Sequence, residues 1–138
     1  MTSLLLLDTC AVIWVANDDP IAKSARDTLA RALQCDEPVY VSPITAWEIG
    51  LLAARGRVRL QMSAQKWFAQ VLAMPGVRLA EMSPDILIAS SFLPGAAPDD
   101  PADRIIAATA REFGYLVVTR DRKLLAYAES GNCRALAC

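Results

Sequence analysis

Short apolar runs alternate with helically spaced apolar positions from one end of the chain to the other. The runs at residues 4–7, 39–41, 77–79, 115–118 and 134–137 read as strands, and the first, four leucines in a row, reads as a strand buried on both faces. Helical periodicity covers residues 20–33, and a further helix is expected over 63–73. Three helix starts are marked by a capping residue followed by proline: Ser42-Pro43 before a helix over 44–54, Ser83-Pro84 before 85–93, and Asp100-Pro101 before 102–113, which stops at Gly114. Residues 94–99, PGAAPD, read as a loop. Alternating strands and helices with no repeat or linker predict one α/β domain over residues 1–138 with a parallel sheet.

Composition narrows the chemistry. The chain has 138 residues, 54% of them hydrophobic, enough for a well-buried core. No apolar stretch approaches the roughly 20 residues of a membrane span. The start, MTSLLLLDTC, has no basic region and its apolar run ends at Asp8, so export is not expected and a cytoplasmic location is. In that reducing setting the four cysteines, Cys10, Cys35, Cys133 and Cys138, with no C-x-x-C pair, are expected to be free and mostly buried. There is no histidine, which removes the commonest general base and every imidazole-ligated zinc site. Any chemistry must rest on carboxylates.

Four acids stand where a ligand edge would be. Asp8 follows the first strand and Asp121 lies three residues past the fourth, so both are expected at carboxyl ends of strands, the edge where open α/β sheets bind ligands. Asp103 falls on the first turn of the helix after Pro101 and Glu48 on the second turn of the helix after Pro43; helices that follow parallel strands begin at that same edge. Each acid also has an ordinary reading. Asp8 is a natural N-cap for TCAVIW, Asp103 complements a helix dipole, and Asp121 suits a turn flanked by solvated basic groups. Glu48 lies within a stripe of Ile44, Trp47, Leu51 and Leu52, where it must either bind something or pair with a base such as Arg55.

Taken together the four acids would repel unless a cation relieved them, and hard oxygen donors without His or Cys suit Mg²⁺ or Mn²⁺. Such an ion supports hydrolytic chemistry at a phosphodiester. Arg55, Arg57, Arg59, Arg104, Arg120, Arg122 and Lys123 flank the acids, and neutralising four carboxylates would turn the net charge of −1 into +3, which suits a polyanion.

The order of LLLLDTC, SPITAWEIGLLAARGRV, DPADRIIAATA and VVTRD resembles the PIN-domain family, specifically the VapC-type ribonuclease toxins of bacterial toxin-antitoxin pairs, from Ser3 to the C-terminus. The resemblance implies a central five-stranded parallel sheet flanked by helices and an endoribonuclease that holds Mg²⁺ or Mn²⁺. It matches the family's catalytic, metal-holding acids to Asp8, Glu48, Asp103 and Asp121, and places Thr9 and Thr119 among hydroxyls near the site. It further implies an RNA substrate, a cognate antitoxin protein as partner and a homodimer; in the apolar helices Trp14 and Trp67 are candidate anchors for a partner's segment, the ordinary reading being that both are core. Asp100 is an extra acid beside Asp103, and Cys10 takes a position often polar in the family.

The alternative is a non-catalytic PIN-like module that binds RNA or a protein; the presence of all four acids speaks against it. A dehalogenase-like phosphatase would want D-x-D where Asp8-Thr9-Cys10 stands. A phosphoreceiver domain would want an acceptor Asp after a central strand, and neither 39–41 nor 77–79 is followed by one.

Overall fold

The computed structural model describes residues 3–138. Among these residues five strands form one fully parallel sheet: β1 (Leu5–Leu7), β2 (Val39–Val41), β3 (Val77–Leu79), β4 (Leu116–Thr119) and β5 (Arg134–Ala137), in the order β3-β2-β1-β4-β5. Leu5, Leu6 and Leu7 pair in register with Val39, Tyr40 and Val41 on one side and with Leu116, Val117 and Val118 on the other. The chain thus builds outward from β1 in one direction and then returns to β1's other side for β4. The gap between the carboxyl ends of β1 and β4 is the topological switch point, the usual ligand crevice of such sheets.

Among the described residues seven helices link the strands: α1 (Thr9–Ala16), α2 (Lys23–Gln34), α3 (Pro43–Ala54), α4 (Ala64–Ala73), α5 (Pro84–Ala89), α6 (Pro101–Phe113) and α7 (Arg122–Glu129). Side chains alternate across the sheet as the two-residue strand period requires. Leu5, Leu7, Val39, Val41 and Val118 face a core made with Ala11, Val12, Ala25, Ile49, Trp67 and Val71 from α1 to α4. Leu6 and Val117 face the other way, against Ile106 and Ala110 of α6. Buried on both faces, β1 is the all-leucine centre that its sequence suggested.

Several boundaries differ from the sequence reading. The second helix begins at Lys23 rather than residue 20, because the Ala22 N–H donates to Cys138 O (3.0 Å), tying this approach to the C-terminus. The helix expected over 85–93 ends at Ala89, where Ser90 turns its hydroxyl back to Leu87 O (2.6 Å), and Pro94 follows. The fourth strand starts at Leu116, since the Tyr115 N–H still donates to Ala110 O (3.0 Å) in the helix-ending turn at Gly114 (φ 71°). Two helices, α1 and α7, lie outside the helical ranges read from the sequence, although Asp8 stands there as an N-cap for TCAVIW. Segment α1, TCAVIWVA, is apolar nearly all round and carries no polar face to mark a period. Helix α7 is only eight residues long.

The cysteines are free, as expected, but not mostly buried: Cys10 and Cys35 are exposed, Cys133 is half-buried and only Cys138 is buried. Among the described residues no helix is long and apolar enough to cross a membrane.

Candidate active site

Each acid is placed by the start of a helix. Asp8 closes β1, its N–H donating to Val118 O (3.1 Å), and caps α1 by accepting from the Ala11 N–H at Oδ1 (2.8 Å). Its Oδ2 accepts the hydroxyl proton of Thr119, the last residue of β4, which is 0% exposed. Thr119 Oγ1 in turn accepts the Asp121 N–H (3.0 Å). One buried hydroxyl therefore joins the acids that end β1 and follow β4. Asp121 is the N-cap of α7, not an isolated turn residue; its Oδ1 accepts from Lys123 N (2.8 Å) and Leu124 N (3.0 Å).

On α3, Ser42 caps, Pro43 starts the helix, and Thr45 and Ile49 point inward. Trp47, expected on the inward stripe, is instead 53% exposed; the buried side runs through Thr45 and Ile49, with Glu48 at its half-buried margin. Glu48 Oε1 accepts the Thr9 hydroxyl proton across the α1/α3 contact. The pairing with Arg55 is absent: Arg55 is exposed and no basic side chain among the described residues pairs with Glu48. On α6, Asp100 is the N-cap, bonded to Ala102 N (2.9 Å) and Asp103 N (3.1 Å), leaving the Asp103 side chain free of capping duty. No hydrogen bond reaches the Asp103 carboxylate among the described residues, nor Glu48 Oε2, nor Asp121 Oδ2.

Electrostatics bind the set together. The Asp103 carboxyl is pushed up to about 7, first by burial and then by repulsion from Asp121, Asp100, Glu48 and Asp8. Burial also raises Asp8, against the lowering pull of its bonds to Thr119 and Ala11, with Asp121 adding to the rise. Glu48 is raised by burial and by Asp100 and Asp8, partly offset by Thr9. The Cys10 thiol beside them is pushed up to about 11, first by desolvation and then by all four acids. Among the described residues no three acidic or cysteine side chains are gathered tightly enough to hold an ion in the positions they occupy. The donor set itself fits a hard divalent cation: oxygens only, mutually repelling, with several lone pairs unclaimed and no basic side chain paired to any of them.

Two of the flanking bases have structural duties. Arg104 donates to Ser90 O (2.8 Å) and Pro98 O (2.9 Å), fastening the 90–98 loop to α6. Arg120 lies over the Trp14 ring at 3.8 Å and donates to Cys138 O (2.8 Å). Arg55, Arg57, Arg59, Arg122 and Lys123 are exposed, with no side-chain hydrogen bond or ion pair among the described residues. Thr45, which touches Thr9, had no part in the sequence reading; the one signal for it was a polar residue one turn before Glu48 in an otherwise apolar stretch.

Fold and site together define an α/β domain whose ligand edge, at the β1/β4 switch point, is acidic rather than basic. The PIN domain model matches residues 5–130, and the chain belongs to the PIN domain family. It is 32% identical over 124 residues to Ribonuclease VapC22 of Mycobacterium tuberculosis (strain ATCC 25618 / H37Rv), covering 90% of this chain and 91% of that protein. Its fold is similar to that in the crystal structure of VapBC2 from Rickettsia felis bound to a promoter DNA fragment, with TM-score 0.66 and 14% identity over 97% of this chain and 98% of that one. The structure of FitAB bound to the IR36 DNA fragment is also similar, with TM-score 0.59 and 20% identity over 97% and 94% of the two chains.

Proposed function

We propose that the chain is a Mg²⁺- or Mn²⁺-dependent endoribonuclease, the toxin of a toxin-antitoxin pair, with Asp8, Glu48, Asp103 and Asp121 as its catalytic acids and metal ligands. The observation that carries this reading is the acidic edge: carboxylates drawn from β1, α3, α6 and the β4–α7 corner, three of them raised by burial and mutual repulsion and none neutralised by a base. The relative named a ribonuclease supports RNA as the substrate.

A bound Mg²⁺ or Mn²⁺ would supply positive charge to a phosphodiester and make water easier to deprotonate. Asp8 and Asp121 offer oxygens held in place by Thr119 and by their own helix N-termini. Glu48 offers Oε2 while Thr9 holds Oε1. Asp103 offers both oxygens, and its carboxyl, pushed up to about 7 by burial and by the neighbouring acids, is one whose repulsion a bound cation would relieve. Arg55, Arg57, Arg59, Arg122 and Lys123 are free to meet the phosphates of the strand.

An antitoxin protein and a second copy of the chain are the proposed partners, in the cytoplasm. The fold shared with chains in the VapBC2 and FitAB structures supports the first. So do two grooves beside α1, of about 390 Å³ along Val15, Pro20, Ile21 and Leu29 and about 380 Å³ along Leu60, Met62 and Trp67. Trp67 itself is core (7% exposed) and only edges its groove; Trp14 is half-buried beneath Arg120. The second copy is supported by the apolar side chains left open around α5: Leu87, Ile88 (61% exposed) and Phe92 (80% exposed).

Induced expression in a bacterial host, with total RNA and growth followed together, tests the reading. Wild type is expected to cut RNA and arrest growth, and Asp8→Asn at equal soluble level is expected to do neither. Equal growth and intact RNA for both proteins would contradict it.

A further inference from the structure

Behind Glu48 runs a hydrogen-bonded chain that ends in the core. Thr9 Oγ1 bonds to Glu48 Oε1 and stands 3.1 Å from Thr45 Oγ1. Thr45 is 0% exposed and lies on α3 one turn before Glu48. A hydroxyl carries one proton and accepts on two lone pairs, whereas an ionised carboxylate only accepts. The single Thr9 proton is therefore committed to Glu48, and the proton between the two hydroxyls must come from Thr45. The direction is fixed: Thr45 donates to Thr9, and Thr9 donates to Glu48.

Burying the Thr45 hydroxyl costs free energy unless it is bonded, and Thr9 is its side-chain partner. A valine of nearly the same shape would fill the space with no polar group to satisfy, so packing alone gives no reason for a hydroxyl at this point. We propose that Thr45 is a positioning residue for Glu48: its hydroxyl holds the Thr9 proton on Glu48 Oε1 and thereby leaves Oε2 presented to a divalent cation. This rests on the reading of Glu48 as a cation ligand. Without the Thr45 donor, Thr9 is free to rotate its hydroxyl toward another acceptor, and Glu48 loses its fixed orientation.

Free Mn²⁺ measured by electron paramagnetic resonance during titration of the full chain tests this without any substrate. Thr45→Val is expected to weaken Mn²⁺ binding by about three- to tenfold, the scale of one oriented hydrogen bond behind a ligand. Thr45→Ser, which keeps the hydroxyl, is expected to stay within about twofold of wild type on the same reasoning. In a Glu48→Gln background Thr45→Val is expected to add no further loss, because the two act through one path. Melting in EDTA reports whether each variant folds; if Thr45→Val does not, Thr45→Ala, which also removes the hydroxyl, is compared with Thr45→Ser in its place. Unchanged affinity in Thr45→Val, Thr45→Ser as weak as Thr45→Val, or equal losses in both backgrounds would overturn the proposal while leaving the metal site intact. Absence of Mn²⁺ binding by wild type would overturn the metal site and this proposal with it.

Discussion

Asp103 shows how two ordinary roles of one aspartate can be told apart. As a first-turn acid it would stabilise α6 through the helix dipole by about 0.3–1 kcal/mol, and its loss would destabilise the fold. As a crowded site acid, with its carboxyl pushed up to about 7, it does the reverse at neutral pH. A raised folded-state value means that the native protein binds a proton the unfolded chain has released. The stabilisation is complete below about pH 4 and is lost as pH rises through about 7; the raised Asp8 and Glu48 act in the same sense. Melts in EDTA should therefore fall as pH climbs through that window. At pH 8 Asp103→Asn should be more stable than wild type by on the order of 1–3 kcal/mol, one pKa unit being about 1.4 kcal/mol and water screening part of it. At pH 4 the two should converge, and saturating Mn²⁺ should narrow the gap at pH 8 by stabilising wild type more. A variant less stable than wild type at pH 8 would return Asp103 to the dipole role. The positions of the four candidate acids were legible in the sequence because each adjoins a recognisable strand end or helix start. Thr45 was not, because a threonine among Ile44, Ala46 and Trp47 looks like any helical residue until the fold sets Thr9 beside it.

At the scale of elements, the site is an assembly of helix N-termini. Asp8, Asp100 and Asp121 cap α1, α6 and α7, and Ser42 caps α3, all after strands or loops arriving at one edge. On α6 Asp100 takes the cap and leaves the Asp103 side chain without capping duty. Asp100→Ala should thus cost about 1 kcal/mol of stability, the usual worth of a side-chain cap, measured by urea denaturation at pH 8 with Mn²⁺ present. Any rise in stability under those conditions would mean that repulsion from Asp100 outweighs its capping. The same grammar explains which elements the sequence disclosed. Cap-plus-proline signals at Ser42-Pro43, Ser83-Pro84 and Asp100-Pro101 named the three N-caps, and each helix starts at its proline, one residue ahead of the range read from the sequence. Helix ends were less visible, as at Ala89, where a serine hydroxyl and the coming proline end α5 early. The apolar α1 offered no amphipathic period, and α7 buries only Leu124 and Tyr127, too few turns for a pattern.

At the scale of the molecule, the strand order concentrates charge. With β1 central and β4 returning beside it, acids distant in sequence come near enough at the switch point to repel one another, while the bases of the α3 end and of α7 stay exposed. A net charge of −1 hides this arrangement, which emerges only once the carboxylates are counted as one site. The central claim is that this edge cuts RNA with a divalent cation. Purified wild type, Asp8→Asn and Asp103→Asn, each shown to be folded, should be incubated with RNA in Mn²⁺ and in EDTA. Wild type is expected to cleave in Mn²⁺ and stop in EDTA, and each variant to fall by on the order of a thousandfold, since each loses a charged metal ligand without changing its size. Cleavage that persists in EDTA, or a folded variant that cuts at near the wild-type rate, would contradict the account.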